Sequence, residues 1–127
     1  MSKEKINIEY TLLTVSPTVL WSYISTPSGL ANWFADDVKI SGKKFTFIWD
    51  KTSQSAEQIG CRTGVFIRFR WDDETDNRIY FEFRILQVEL TGDTILEIID
   101  FSEPDEKDET IELWNLQIES LKRKIGL

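Results

Sequence analysis

The end of the chain constrains the fold most. Ile111, Trp114, Ile118, Leu121 and Ile125 are spaced 3, 4, 3 and 4 residues apart, which places them in one stripe along a helix. Leu113 broadens that stripe. Asp108, Glu109 and Glu112 open the segment and Lys122, Arg123 and Lys124 close it, the charge order that a helix macrodipole favours. Gly126 supplies a natural C-terminal cap. A helix of about 16 residues is about 24 Å long, enough to lie across a curved sheet.

What precedes it is patterned mostly with period two. Lys5 to Thr14 alternates, with Ile6, Ile8, Tyr10 and Leu12 on one side, and reads as a half-buried strand. Ser16-Pro17 then starts a helix, with Ser16 as its cap and Pro17 at its first position. Val19, Leu20, Tyr23 and Ile24 form its stripe, Trp21 lies off it, and Pro27 and Gly29 end it. A second short helix, about Ser28 to Ala35, presents Leu30, Trp33 and Phe34. From Asp37 to Phe101 the pattern is strand-like: Val38 with Ile40, Phe45 to Trp49, a weak strand from Ala56 to Arg62, Val65 to Trp71, Ile79 to Ile85, and Thr94 to Phe101. Gly60 inside the weak strand marks a bulge or a close backbone approach.

An antiparallel meander with one apolar face must cover that face, and the C-terminal helix is the element with enough apolar surface to do so. The predicted architecture is α+β. A curved antiparallel sheet of about six or seven strands wraps the long C-terminal helix, and two short helices follow the first strand. Its 127 residues make one domain, 1–127. A sheet so curved cannot touch the helix along its whole length, so a cavity is expected between them, with its mouth near loops and the second helix.

Composition removes several functions. The chain has no His, which excludes imidazole acid–base catalysis, the Ser-His-Asp triad and imidazole metal ligands. The single cysteine, Cys61, forms no internal disulfide or multi-thiolate zinc site and reads as a small buried hydrophobe. Twenty-two acidic residues against 15 basic ones give a net charge of −7, which repels phosphate backbones. No apolar run approaches the roughly 18 residues of a membrane helix, and Met1 to Tyr10 has no signal-peptide core. The expectation is a cytoplasmic protein without metal or cofactor, bound to neither nucleic acid nor membrane.

Three strings carry a family resemblance: Thr26-Pro-Ser-Gly-Leu-Ala-Asn-Trp-Phe34, the strand ending in Trp71, and Leu113-Trp-Asn-Leu-Gln-Ile-Glu-Ser-Leu-Lys122. With the element order, they resemble the START-like, helix-grip (SRPBCC/Bet v 1-like) superfamily, in particular its heat-shock-protein-90 ATPase activator-like branch and short stand-alone bacterial members. The likeness spans essentially the whole chain. It implies the helix-grip fold. For function it implies binding of apolar or amphipathic small molecules, co-chaperone-like protein contacts, or occasional catalysis on such ligands.

Alternation points Phe45, Phe47, Trp49, Phe69, Trp71, Phe81, Phe83 and Trp114 toward one volume. Core filling and a lined pocket both fit this cluster, since ligand sites are aromatic-lined with few polar groups. Five tryptophans favour the pocket. The candidate ligand-binding residues are Trp33, Phe34, Phe47, Trp49, Phe69, Trp71, Phe83, Trp114, Ile118 and Leu121. Trp33 and Phe34 project about 100° apart on a helix, so one anchors it and the other lies near the mouth. Asp36 and Asp37 point to opposite sides of an extended chain and read as turn caps, not an acid–base pair. Arg68, Arg70, Glu82 and Arg84 read as ion pairs on a solvated face, with an anion-binding patch as the alternative. Ser22, Ser25 and Ser28 lack a nucleophile-elbow context, and the glycines form no phosphate loop.

No residue is nominated as catalytic. The expected function is a non-enzymatic domain that holds a small apolar or amphipathic molecule, as a monomer or weak homodimer. One alternative is a protein-interaction domain whose acidic surface steers it to a basic partner. A second is an enzyme acting on an apolar substrate, which requires a buried carboxyl or tyrosyl group facing the cavity.

Overall fold

The computed structural model describes residues 3–13 and 15–127. Its elements are β1 (Glu4–Thr11), α1 (Pro17–Ser25), α2 (Pro27–Leu30), β2 (Asp37–Ser41), β3 (Lys44–Trp49), β4 (Thr52–Arg62), β5 (Phe66–Trp71), β6 (Phe81–Gln87), β7 (Thr94–Ser102), a 3₁₀ turn (Pro104–Glu106) and α3 (Lys107–Ile125). Thr14, the expected last residue of the first strand, lies outside the described residues.

The strands form one antiparallel sheet in the order β1-β7-β6-β5-β4-β3-β2. β1 and β2 are its opposite edges. α1 and α2 therefore carry the chain from one edge to the other, and β2 to β7 return as a meander. The register sets one apolar face: Ile8 pairs with Ile98, Ile98 with Phe83, Phe83 with Ile67 and Phe81 with Phe69. α3 buries Trp114, Ile118 and Leu121, with Ile125 partly buried against the same core. It runs for 19 residues and ends at Gly126, whose positive φ of 95° suits a left-handed cap. Leu113 does not join the buried stripe; it is 65% exposed.

The two short helices form one compact corner. Ser16 Oγ accepts a hydrogen bond from the Val19 N–H at 3.1 Å, as the Ser-Pro pair predicts. α1 buries Leu20 and Ile24, while Val19 is exposed. Pro27 starts α2 as well as ending α1. Thr26 Oγ1 accepts from the Gly29 N–H at 2.9 Å and donates to the Ser22 carbonyl at 2.7 Å, so one hydroxyl joins both helices. The short helix therefore begins and ends earlier than expected, and the Leu30 carbonyl collects the turn through Phe34 and Ala35. Gly29 lies where the helices touch: a Cβ there would clash with the Ser22 carbonyl oxygen and come 2.7 Å from Tyr23 Cα.

Other differences have local causes. β4 extends back to Thr52 because Thr52 to Ser55 pair with β3, helped by a 2.8 Å Thr46–Ser55 hydroxyl contact. Its register shifts between Gln58 and Gly60, the bulge that the glycine signalled. Cys61, beyond that bulge and near the strand end, is exposed and not buried as expected. Partial burial still pushes its thiol pKa up. Asp36 and Asp37 are turn caps: Asp36 accepts from the Asp50 N–H at 2.6 Å and Asp37 from the Val38 N–H at 2.9 Å. On the outer face, Glu82 is fully buried and accepts from Arg68 Nε at 2.7 Å and Arg84 Nε at 3.0 Å. The Arg68 guanidinium sits 4.1 Å from the Tyr80 ring centroid, and that of Arg84 4.6 Å from Phe66. This is the expected ion pairing for Arg68, Glu82 and Arg84, with the carboxylate desolvated; Arg70 instead donates to the Ile79 and Asn77 carbonyls.

Gly29→Ala should destabilise the protein by about 3 kcal/mol, because the clash is with backbone and not with a flexible side chain. Gly60→Ala, whose Cβ would come no nearer than 3.4 Å to the Phe66 ring and 3.7 Å to Arg68 Cβ, should cost far less. Thermal unfolding of both variants measures the difference; equal losses would contradict the packing described for α1 and α2.

Candidate functional site

Aromatic rings fill the middle of the space between sheet and helix. Phe34 is their hub, with centroids at 5.0 Å to Phe47, 5.6 Å to Trp49, 5.7 Å to Phe83 and 5.8 Å to Trp114. Phe69 lies 5.0 Å from Phe45 and 5.1 Å from Phe81. Such edge and stacked contacts contribute about 0.5–1.5 kcal/mol per pair beyond burial. Of the sequence candidates, Phe47, Phe69, Phe83, Ile118 and Leu121 belong to this packed interior, each 1% exposed or less. Trp33 is buried too, and its Nε1 donates to the Tyr23 carbonyl at 2.8 Å, tying α2 to α1. Trp33 and Phe34 are thus both anchors of the corner.

Two clefts open at the edge of the packed region. The first, about 430 Å³, lies between the first half of α3 and the ends of β3, β5, β6 and β7. Phe34, Trp49, Trp71, Phe81, Phe101 and Trp114 line it, the Phe101 ring itself lying against Tyr80, and Leu113 and Leu116 stand on α3 beside it. Asp100, Thr110 and Gln117 are its polar lining. The second, about 460 Å³, lies between the turn after α2 and the second half of α3 and is more polar, with Asn32, Asp36, Ser120 and Lys124. A small polar partition separates them: Trp49 Nε1 and Gln117 Nε2 both donate to the Phe34 carbonyl, at 2.7 Å and 3.3 Å. The candidates Trp33, Phe34, Trp49, Trp71 and Trp114 therefore reach a cleft, Trp33 only the second.

Among the lining residues that the sequence pattern does not nominate, Asp100 is the one charged side chain. Its pairing with Ile6 places it on the inner face of β7, in phase with Leu96 and Ile98. Trp114 Nε1 donates to Asp100 Oδ2 at 2.8 Å, and the Phe101 N–H donates to Oδ1 at 2.8 Å. Burial pushes the carboxyl pKa above its ordinary value, and these two hydrogen bonds, with the charge of Lys3, offset part of that rise. The available signal was a charged residue in the apolar phase of a strand. Tyr10, another inward titratable group near α3, is a strut. Its hydroxyl donates to Asn115 Oδ1 at 2.6 Å, and burial, then the charge of Glu112, pushes its pKa up to about 12. Among the described residues, no group of three His, Cys, Asp or Glu side chains is placed to hold a metal ion. No described helix is long and apolar enough to cross a membrane.

Comparison with known proteins agrees with this geometry. The family model described as a START-like superfamily domain matches residues 1–127. The solution structure of BfR322 from Bacteroides fragilis is 48% identical, covers 100% of this chain and 94% of its own, and superposes with a TM-score of 0.72. The Aha1 dimer from Colwellia psychrerythraea shares the fold at 16% identity, covering 96% of each chain with a TM-score of 0.78. CalU16 from Micromonospora echinospora does so at 18% identity over 97% of this chain and 76% of its own, with a TM-score of 0.76. Among curated protein sequences, none matches.

The Asp100 carboxyl should titrate above the ordinary aspartate value of about 3.9. The folded chain then holds this proton more tightly than the unfolded chain does. Its stabilising contribution is complete below the unfolded value and disappears as pH rises through the native one. Carboxyl-carbon NMR reads the midpoint. Trp114→Phe, which deletes the donor to Oδ2, should move it higher still; a wild-type midpoint at or below the ordinary value would contradict the placement.

Proposed function

The chain belongs to the START-like superfamily, and we propose that it is a binding domain holding a small amphipathic or apolar molecule in the cleft beside Asp100. The observation that carries this reading is a cleft of about 430 Å³ lined mostly by aromatic residues, with Asp100 as its one acidic side chain. Small-molecule sites are typically about 300–1,000 Å³, mostly apolar, with a few polar groups that fix orientation. Trp49 and Trp71 are half-buried, so their remaining ring surface is available for an occupant to cover. A molecule burying 200 Å² of apolar surface there would gain roughly 5 kcal/mol before the cost of its own immobilisation.

The lining also favours binding over chemistry. Asp100 is the one titratable side chain in it, so neither an acid–base pair nor a nucleophile with its base is assembled there. Thr110, the lining hydroxyl, already donates to the Glu106 carbonyl at 3.0 Å. This refines the cavity expected from sequence: the proposed occupant sits at one end of the helix–sheet seam, beside the packed rings and not among them.

A panel of apolar and amphipathic molecules should produce binders that perturb tryptophan fluorescence and raise the unfolding temperature. At a hundredfold excess over Kd the stabilisation is about 2.7 kcal/mol. Leu113→Trp, a change at an exposed position beside the cleft, should fill the opening and weaken binding at least tenfold while leaving the fold intact. A panel that gives no binder, or binders indifferent to Leu113→Trp, would overturn the assignment.

A further inference from the structure

We infer that the molecule held in this cleft carries a positively charged amine on an apolar body, the ammonium group placed against Asp100. The inference rests on the reading of the cleft as a small-molecule site and adds the chemical class of the occupant.

Three observations lead to it. First, Asp100 is the one charged side chain in a mostly apolar wall, and among the described residues no lysine or arginine forms an ion pair with it. Lys3, the cation whose charge reaches it, has its Nζ 3.5 Å from Glu74. Each carboxylate oxygen accepts one hydrogen bond from the protein, from Trp114 and from the Phe101 backbone, which fixes its orientation and leaves acceptor capacity free. Secondly, the surrounding wall is aromatic. Trp49 and Trp71 have centroids 6.3 Å apart, Trp71 and Phe81 4.8 Å, and Phe81 and Trp114 6.5 Å. Indole and phenyl faces attract cations, most strongly when water is excluded. Thirdly, the approach is acidic. The 3₁₀ turn and the first turn of α3 carry Asp105, Glu106, Asp108 and Glu109 against Lys107 alone, and helical spacing puts Glu109 on the same face as Leu113. A field of that sign concentrates cations and repels anions.

The charge also answers a cost that burial places on the chain itself. Burial disfavours the Asp100 carboxylate, and a bound ammonium would add a direct counter-charge to the more distant one of Lys3. A neutral hydroxyl head would recover only a hydrogen bond, and a carboxylate head would face like charge.

Three probes of one shape separate these cases: phenylbutylamine, phenylbutanol and phenylbutanoate, titrated into the full chain near neutral pH and followed by the Trp114 indole NMR signal. The amine should bind at least about tenfold tighter than the alcohol, with the carboxylate weakest. In Asp100→Asn, the amine and the alcohol should bind about equally, with the alcohol little changed. If the alcohol matches or exceeds the amine in the wild-type protein, the charge inference fails while the small-molecule reading stands. If all three leave the Trp114 signal unmoved up to millimolar concentration, both fail. The wild-type comparison needs no variant, so poor folding of Asp100→Asn cannot shield the inference.

Discussion

Everything in this molecule depends on how α3 meets the sheet through aromatic rings. Trp114 and Phe34 stack at 5.8 Å with planes 16° apart, and Phe34 in turn touches Phe47, Phe81 and Phe83. The helix is therefore held by rings from its own stripe, from the turn after α2 and from two strands, β3 and β6, at once. Remove the Phe34–Trp114 stack and the α2 corner, the helix and the inner face lose their common contact. Gly29 and Thr26 matter for the same reason: they set the corner that delivers Phe34 to the interior.

The same packing decides where function can reside. Rings fill the centre of the seam, and the curvature of the sheet leaves space at its ends. Trp114 serves both regions, its ring packed on Phe34 and Phe83 and its N–H directed to Asp100 at 2.8 Å. The core thereby positions the polar group of the cleft. Outside the seam, the buried Glu82 between Arg68 and Arg84 locks β5 to β6 on the convex face and takes no part in the cleft.

Much of this architecture is legible in residue pattern. The stripe Trp114, Ile118 and Leu121 reads as a helix face because a period of 3.6 over such a length has no strand equivalent. Gly60 reads as a bulge because a side chain is missing where alternation is otherwise regular, and the register shift lies there. Thr52 to Ser55 do not read as strand, because their pairing is carried by backbone and hydroxyl hydrogen bonds and not by apolar alternation. Leu113 reads as core and is exposed, since its place relative to the stripe is decided by the tilt of α3 on the sheet. Asp100 is the instructive case. Its role depends on the register with Ile6 and on the reach of the Trp114 indole fourteen residues later, neither of which a one-dimensional pattern contains.

The most direct test of the account is a crystallographic screen of small aromatic and aliphatic fragments. Density is expected in the cleft between Trp71 and Trp114, beside Asp100, with Phe47, Phe69 and Phe83 unmoved. Fragments lodged among those three rings and Leu121, or found only outside this cleft, would contradict it.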